Sequence, residues 1–361
     1  ERYPRICCEE SQGQRRAGVV KPLHVTYLIG AGASTPELPI AKQIPERIES
    51  LDSWLRSEFP MPAEPFPAQE NLSGTIEDAQ NLFLKNLSWM KLHAANHYSV
   101  DTFAKKLFLD DSHALLRQLK ATLSTFFYIE QIRQKLHQRY DTFFAAILSG
   151  KRPEISLPNN VSILTWNYDS QFEIAFNGYV RDAANVNTQT QATPLPPRAP
   201  EFDPNKFSII NINGAAGFIE TAGHFQRIFQ SLTIPASKET IAHALMLFAK
   251  YMQQSDSCEP LINFAWETEH PLSQKQLSHA LQIAPKTEIL VSIGYSFPQF
   301  NRGIDRQIIG AMSSLRKVYI QGPHSDLSAQ EEKLRSMINT THSVQVVHRT
   351  DLDQFVIPNE F

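Results

Sequence analysis

Four short segments of this chain hold residue types that can grip a phosphate or a sugar hydroxyl, and each follows an aliphatic, β-branched run. The first is Gly30-Ala31-Gly32-Ala33-Ser34. A glycine turn at a strand's end lets the backbone approach a pyrophosphate, and a helix opening there would add unpaired N–H groups and partial positive charge. The third glycine of GxGxxG is missing and no clear acidic ribose ligand follows, so a plain tight turn is the alternative. The second is Thr165-Trp166-Asn167-Tyr168-Asp169, with polar groups where open α/β sheets bind ligands. Asn167 and Asp169 equally suit the caps of a helix running from Ser170. The third is Gly294-Tyr295-Ser296-Phe297-Pro298 with Asn301 beyond, and the fourth is Gln321-Gly322-Pro323. Any one reads as a turn; together they describe an elongated crevice for phosphates and riboses.

Such a crevice needs strands to hold it. His24–Gly30, Val161–Trp166, Phe207–Asn213, Glu288–Gly294, Lys317–Gly322 and Ser343–His348 are dense in Val and Ile and often end at Gly, which predicts six strands. Their near-continuous apolarity implies cover on both faces, hence an α/β fold with a Rossmann-like parallel sheet of about six strands. Residues 39–154 predict an inserted helical subdomain. Ile44, Ile48, Leu51 and Leu55 make one stripe, and Ile132, Leu136, Tyr140, Phe143 and Ile147 another, which Gly150 ends. Ser99 suits the N-cap of a helix through Asp101, Phe103 and Leu107. These stripes read as core packing. The Rossmann-like domain is then 21–38 with 155–361, preceded by a flexible leader over 1–20. Pro60–Pro67 and Pro194–Pro200 predict surface loops.

Composition narrows the class. Apolar residues make up 42% and charged residues 20%, an ordinary globular balance. A net charge of -3 with scattered Lys and Arg does not favour direct nucleic-acid binding. No apolar run approaches the roughly 18–20 residues that cross a bilayer, and no secretory h-region opens the chain, so a cytoplasmic protein without membrane contact is expected. Three cysteines, Cys7, Cys8 and Cys258, make no disulfide framework and cannot build a four-cysteine zinc site, so no metal is expected.

The order GAGAS, T-x-N-Y-D, a strand ending x-N-G, then GYSFPxxN resembles the sirtuin-like family, especially the bacterial NAD hydrolases of antiphage defence. Ser99-Val100-Asp101-Thr102-Phe103 is similar to the bacterial group as well. The resemblance covers residues 24–323. It implies that Gly30, Ala31, Gly32, Ala33 and Ser34 hold the NAD phosphates. Asn167 would position the nicotinamide ribose and the attacking water, and Asp169 would contact the nicotinamide end, flanked by Thr165 and Tyr168. Gly294, Tyr295, Ser296 and Asn301 would serve the adenosine-side ribose and phosphate, with Gln321 and Gly322 near the adenine. The chain departs from the family at the zinc module, so protein deacylation is not expected. It also has Asn213 where the family has a catalytic His. Asn213 can hydrogen-bond a hydroxyl but cannot take its proton; His224 is a nearby substitute base, though a lone loop His is more often merely exposed.

Nicotinamide leaves NAD as a neutral base, so its departure needs no general acid. The enzyme must hold the ribose, stabilise an oxocarbenium-like transition state and orient water. The expected activity is therefore NAD glycohydrolysis to nicotinamide and ADP-ribose, NAD being substrate, weakened by the loss of a base that typically adds ~10²–10⁴-fold. The alternative is a catalytically poor subunit that binds NAD or ADP-ribose in a defence complex. A nicotinamide dehydrogenase is disfavoured by the incomplete GxGxxG and the TWNYD end. The resemblance further implies a homo-oligomer and a partner such as a HerA-like ATPase, a short Argonaute or a phage-protein sensor.

Overall fold

A computed structural model describes residues 22–152, 154–180, 186–193, 201–221, 224–227, 236–254 and 257–361. The expected leader at 1–20 and the Pro194–Pro200 loop lie outside the described residues.

In chain order the regular elements are β1 (Val25–Ile29), α1 (Ile44–Glu58), α2 (Ile76–Ala95), α3 (Val100–Leu109), α4 (His113–Arg133), α5 (Gln138–Ile147), β2 (Val161–Thr165), α6 (Gln171–Val180), α7 (Val186–Gln189), β3 (Ser208–Asn211), β4 (Gly214–Thr221), β5 (His224–Arg227), α8 (Lys238–Gln253), β6 (Glu259–Ile262), α9 (Pro271–Ile283), β7 (Ile289–Ile293), α10 (Arg302–Gly310), β8 (Lys317–Gln321), α11 (His324–Arg335) and β9 (Gln345–Arg349). Six of the strands form one sheet in the order β3-β2-β1-β7-β8-β9, every pair parallel. This is the expected Rossmann-like α/β sheet. Strand order reverses at β1, whose neighbours are β2 and β7, and the crevice beyond the strands' carboxyl ends opens at that switch point.

The central strands β1, β2 and β7 are buried at every residue. One face carries Tyr27, Ile163 and Val291 against Tyr140, Phe143 and Phe144 of α5 and Phe172 and Phe176 of α6. On the other, Leu28, Leu164, Leu290 and Ile320 pack with Ile283, Ile308 and Leu334 from α9, α10 and α11. Double burial is why these strands are nearly continuously apolar instead of alternating.

The expected helical segment holds α1 to α5, and Ile44, Ile48, Leu51 and Leu55 face its core. Ser99 caps α3 by accepting from the Thr102 N–H at 3.3 Å. The stripe from Ile132 to Ile147, expected as one helix, is broken. α4 ends at Arg133, Gln134 turns extended, and α5 restarts at Gln138. The break lets the stripe serve two cores, since Ile132 packs in the helical layer while Tyr140, Phe143 and Ile147 pack under the sheet. The helical core also takes in Ile241, Leu245 and Phe248 of α8 and Ile262 of β6.

The expected strand Phe207–Asn213 is shorter, ending at Asn211. The chain turns there and enters a second, antiparallel sheet in the order β5-β4-β6, which the sequence reading did not anticipate. The turn depends on Gly214, whose φ is +79° and where a Cβ would strike the Leu261 carbonyl. Asn213-Gly214 is therefore the passage between the two sheets. Among the described residues no helix is long and apolar enough to cross a membrane.

Candidate active site

The Gly30–Ser34 turn lies at the end of β1, but the helix expected to open from it does not form. Ala31–Ala33 is a single 3-10 turn, and α1 begins only at Ile44. Pro36 and Pro39 explain the delay, because a residue preceding proline is pushed out of the helical region. No helix N-terminus faces a pyrophosphate at this turn. Its glycines serve another purpose. The Gly30 N–H donates to the Ile293 carbonyl and the Gly32 N–H to the Gly294 carbonyl, both at 3.0 Å. A Cβ at Gly30 would lie 2.6 Å from the Gly294 oxygen, and one at Gly32 3.0 Å from it. Gly294 itself has a φ of +59°, and a Cβ there would run into the Ala33 nitrogen. The loops after β1 and β7 thus cross backbone on backbone at the switch point. Ala33 N–H and Ser34 N–H bond within the turn, so among the described residues its only N–H without a backbone acceptor is that of Ala31, which is exposed.

Ser34 anchors a buried network to the end of β2. Its hydroxyl donates to Asp169 Oδ2 at 2.8 Å and lies 2.6 Å from the Tyr140 hydroxyl. Asn167 Nδ2 is 3.2 Å from both Ser34 Oγ and the Gly30 carbonyl. Thr165 Oγ1 accepts from the Asn167 N–H at 3.1 Å, fixing that side chain's departure from the strand. Ser34, Tyr140, Asn167 and Asp169 are all buried. Asp169 also caps α6, its Oδ1 accepting from the Gln171 N–H at 3.2 Å. Burial raises the Asp169 carboxyl above the usual range, opposed by hydrogen bonds from Ser34, the Gln171 N–H and Asn167. Burial, and secondarily the Asp169 charge, raises the Tyr140 hydroxyl. With both oxygens engaged, Asp169 locks Ser34 and the start of α6, while Asn167 joins the loops after β1 and β2.

Tyr168 turns the other way, toward the helical layer. Its hydroxyl donates to the Asn263 carbonyl at 3.1 Å, and its backbone carbonyl accepts from Ala216 N–H at 2.8 Å. Burial, then Asp101 and Glu267, raises that phenol. Asn213 is buried at the passage between the sheets, its carbonyl accepting from the Asn263 N–H at 2.8 Å. Asn263 in turn meets Lys120 Nζ and His270 Nδ1, both at 3.1 Å. His224 opens β5, and its side chain lies outside what the structure describes.

Tyr295 and Asn301 form a second buried cluster. The Tyr295 hydroxyl donates to Asp305 Oδ2 at 2.7 Å and accepts from Asn301 Nδ2 at 3.0 Å. Asp305 Oδ1 accepts from the Trp166 indole N–H at 3.2 Å. Ser296 is exposed at the mouth, its carbonyl taking Lys333 Nζ at 2.8 Å. Gln321 is buried, and its amide group is engaged by backbone groups of the C-terminal segment. It donates to the Asp351 and Gln354 carbonyls and accepts from the Val356 N–H at 3.1 Å. Gly322 is buried beside it.

The structure thus brings Gly30, Gly32, Ser34, Asn167, Asp169 and Gly294 into one site around the end of β1. Asn213 and Tyr168 lie on the side toward the helical layer, and Gln321 secures the sheet's far end. The sequence reading missed Tyr140 and Asp305. Tyr140 sits in an apolar stripe where its hydroxyl was the only signal, and Asp305 opens an amphipathic helix where an acid is commonplace. Among the described residues no group of three or more His, Cys, Asp or Glu could hold a metal ion.

No family model matches the chain, and no curated protein matches it. Among solved structures it is similar to one described as "Structural Basis for the Mechanism and Regulation of Sir2 Enzymes", with 11% identity over 88% of this chain and 91% of that one, at a TM-score of 0.34. At that level the likeness assigns no chemistry.

Proposed function

We propose that the crevice at the switch point binds NAD and that the protein cleaves its nicotinamide–ribose bond, releasing nicotinamide and ADP-ribose. The observation that carries the reading is the Asn167–Ser34–Asp169 network at the carboxyl ends of β1 and β2, beside the backbone crossing of the loops after β1 and β7. Cleavage of this bond asks for positioning more than for proton transfer. Asn167, immobilised by Gly30 and Ser34, is suited to orient the ribose and a water. The buried polar groups around it are fixed before the reaction, so they need no reorganisation as charge develops. Asn167→Ala should lower turnover by ~10²–10³ while leaving NAD affinity near the parent's. The assay is chromatographic detection of nicotinamide from purified protein and NAD. A variant as fast as the parent removes Asn167 from the chemistry.

One observation favours a second reading, a subunit that binds NAD or ADP-ribose with little turnover. The position expected for a base is Asn213, and its immediate backbone partner is another amide residue, Asn263. Tight binding without nicotinamide release would select this reading. On the first reading, a role as an NAD-depleting effector of antiphage defence, in a cytoplasmic homo-oligomer restrained by a protein partner, extends the proposal; on the second, the chain is a binding subunit of a defence complex.

A further inference from the structure

We propose that Asp305 is a positioning residue that latches together the two loops at the mouth of the crevice, those after β2 and β7, by holding Trp166 and Tyr295 on one carboxylate. Only its expected effect on NAD rests on the reading above; the latch itself rests on geometry.

β2 and β7 are not neighbours, since β1 lies between them. Each of their loops is tied to the β1 loop, and the Trp166–Asp305–Tyr295 bridge ties them directly to each other. Each carboxylate oxygen takes one donor, the indole N–H at 3.2 Å and the phenol O–H at 2.7 Å. The two rings lie nearly parallel, with centroids 6.1 Å apart and an interplanar angle of 11°. Tyr295 also lies against Gly30, where a Cβ would come 2.7 Å from its Cδ2. Trp166 directly precedes Asn167, and Tyr295 directly precedes Ser296. The bridge therefore sets the separation of the groups flanking the crevice.

The latch needs ionised Asp305. The Tyr295 oxygen already accepts from Asn301, so its own proton goes to Asp305. A proton on the carboxyl would face two donors and would force the Tyr295 O–H to turn toward Phe297, whose ring stands 4.7 Å away, centroid to centroid. Among the described residues Tyr295 is the titratable group that bonds Asp305. Arg302 and Arg306 on α10 are exposed, as is Lys275 on α9; His279 stacks on Phe202, and Lys333 of α11 bonds the Ser296 carbonyl. Among the described residues no cation offsets the burial, which raises the Asp305 carboxyl to about 7 against the pull of its two donors. The latch thus changes state near neutrality, closed on the alkaline side and loosened on the acid side.

The Trp166 indole N–H, identified in a proton–nitrogen correlation spectrum by its loss in Trp166→Phe, should titrate through neutrality in the parent and not in Asp305→Asn. NAD affinity, measured by calorimetry, should tighten about ten-fold from the acid to the alkaline side in the parent, the worth of one charge-assisted buried hydrogen bond. Asp305→Asn should bind weakly with no pH response. Tyr295→Phe, which removes one oxygen, should keep the indole titration and lose the gain in affinity. An indole silent through neutrality, or an Asp305→Asn or Tyr295→Phe protein whose NAD affinity follows pH as the parent's does, overturns the latch. A parent that binds no NAD at any pH overturns the NAD reading instead. Amide protection factors at Asn167 and Ser296 then decide the latch: lower on the acid side only in the parent supports it, and unchanged with pH overturns it.

Discussion

Ser34→Ala removes one oxygen from the centre of the site, and the structure sets what that costs. Ser34 Oγ serves Asp169 at 2.8 Å, Tyr140 at 2.6 Å and Asn167 at 3.2 Å, all buried. Without it the Tyr140 O–H loses its acceptor and Asp169 loses a donor, and water has little access to replace either. Each orphaned buried group costs about 1–3 kcal/mol, so with some relaxation the variant should lose roughly 2–4 kcal/mol. Asp169 should also protonate more readily, since the Ser34 bond is the first of those holding its carboxyl down. Equilibrium urea unfolding measures the loss, and a double-mutant cycle tests its origin. In a Tyr140→Phe background the Tyr140 hydroxyl has no need of an acceptor, so Ser34→Ala should cost about 1 kcal/mol less. Additivity within about 0.5 kcal/mol would show that the hydroxyls do not depend on each other and would refute the network.

Gly294→Ala should lower the melting temperature more than Gly32→Ala, because its Cβ meets the Ala33 backbone at a positive φ while that at Gly32 meets Gly294 at 3.0 Å; equal shifts would mean the crossing relaxes freely. Asp305 is raised from 3.8 to about 7, so the folded state binds its proton more tightly than the unfolded chain. Its contribution makes stability fall as pH rises through that window and level off above it, by at most a few kcal/mol, and Asp305→Asn should flatten that slope in thermal scans. Asn213→His restores a proton acceptor at the passage between the sheets and should speed nicotinamide release by up to ~10²-fold. If parent, Asn213→His and Asn213→Ala are equally fast, the position carries no chemistry.

The six-stranded sheet could be read from the chain because five of its strands are buried at nearly every residue and their runs are almost continuously apolar; the edge strand β9, exposed or half-buried throughout, offered only its valines. The carboxyl-end segments follow from the strands. What escaped depended on partners distant in sequence. β4 begins Gly-Ala-Ala-Gly, which has little strand character, and becomes a strand only by pairing with β5 and β6. The Ile132–Ile147 stripe has helical spacing throughout, and only the need to face two different cores breaks it. The glycines at 30 and 32 suggested room for a ligand, and part of that room belongs to the β7 loop. Tyr140 looked like core, and its ring is; its hydroxyl alone belongs to the site.

The passage at Asn213-Gly214 has a mechanical consequence. On one side of it the chain is a strand of the parallel sheet, and after two intervening residues it is a strand of the antiparallel sheet packed against α4. No slack loop lies between. Tyr168, held to Asn263 and Ala216, links the same two bodies a second time. A tilt of the helical layer is therefore not absorbed before it reaches the crevice; it moves Asn213 and Tyr168 as a crank moves its pin. A push on the far surface of α1 to α4 would reach Asn213 and Tyr168 and, if the proposed function holds, the edge of the crevice beside them.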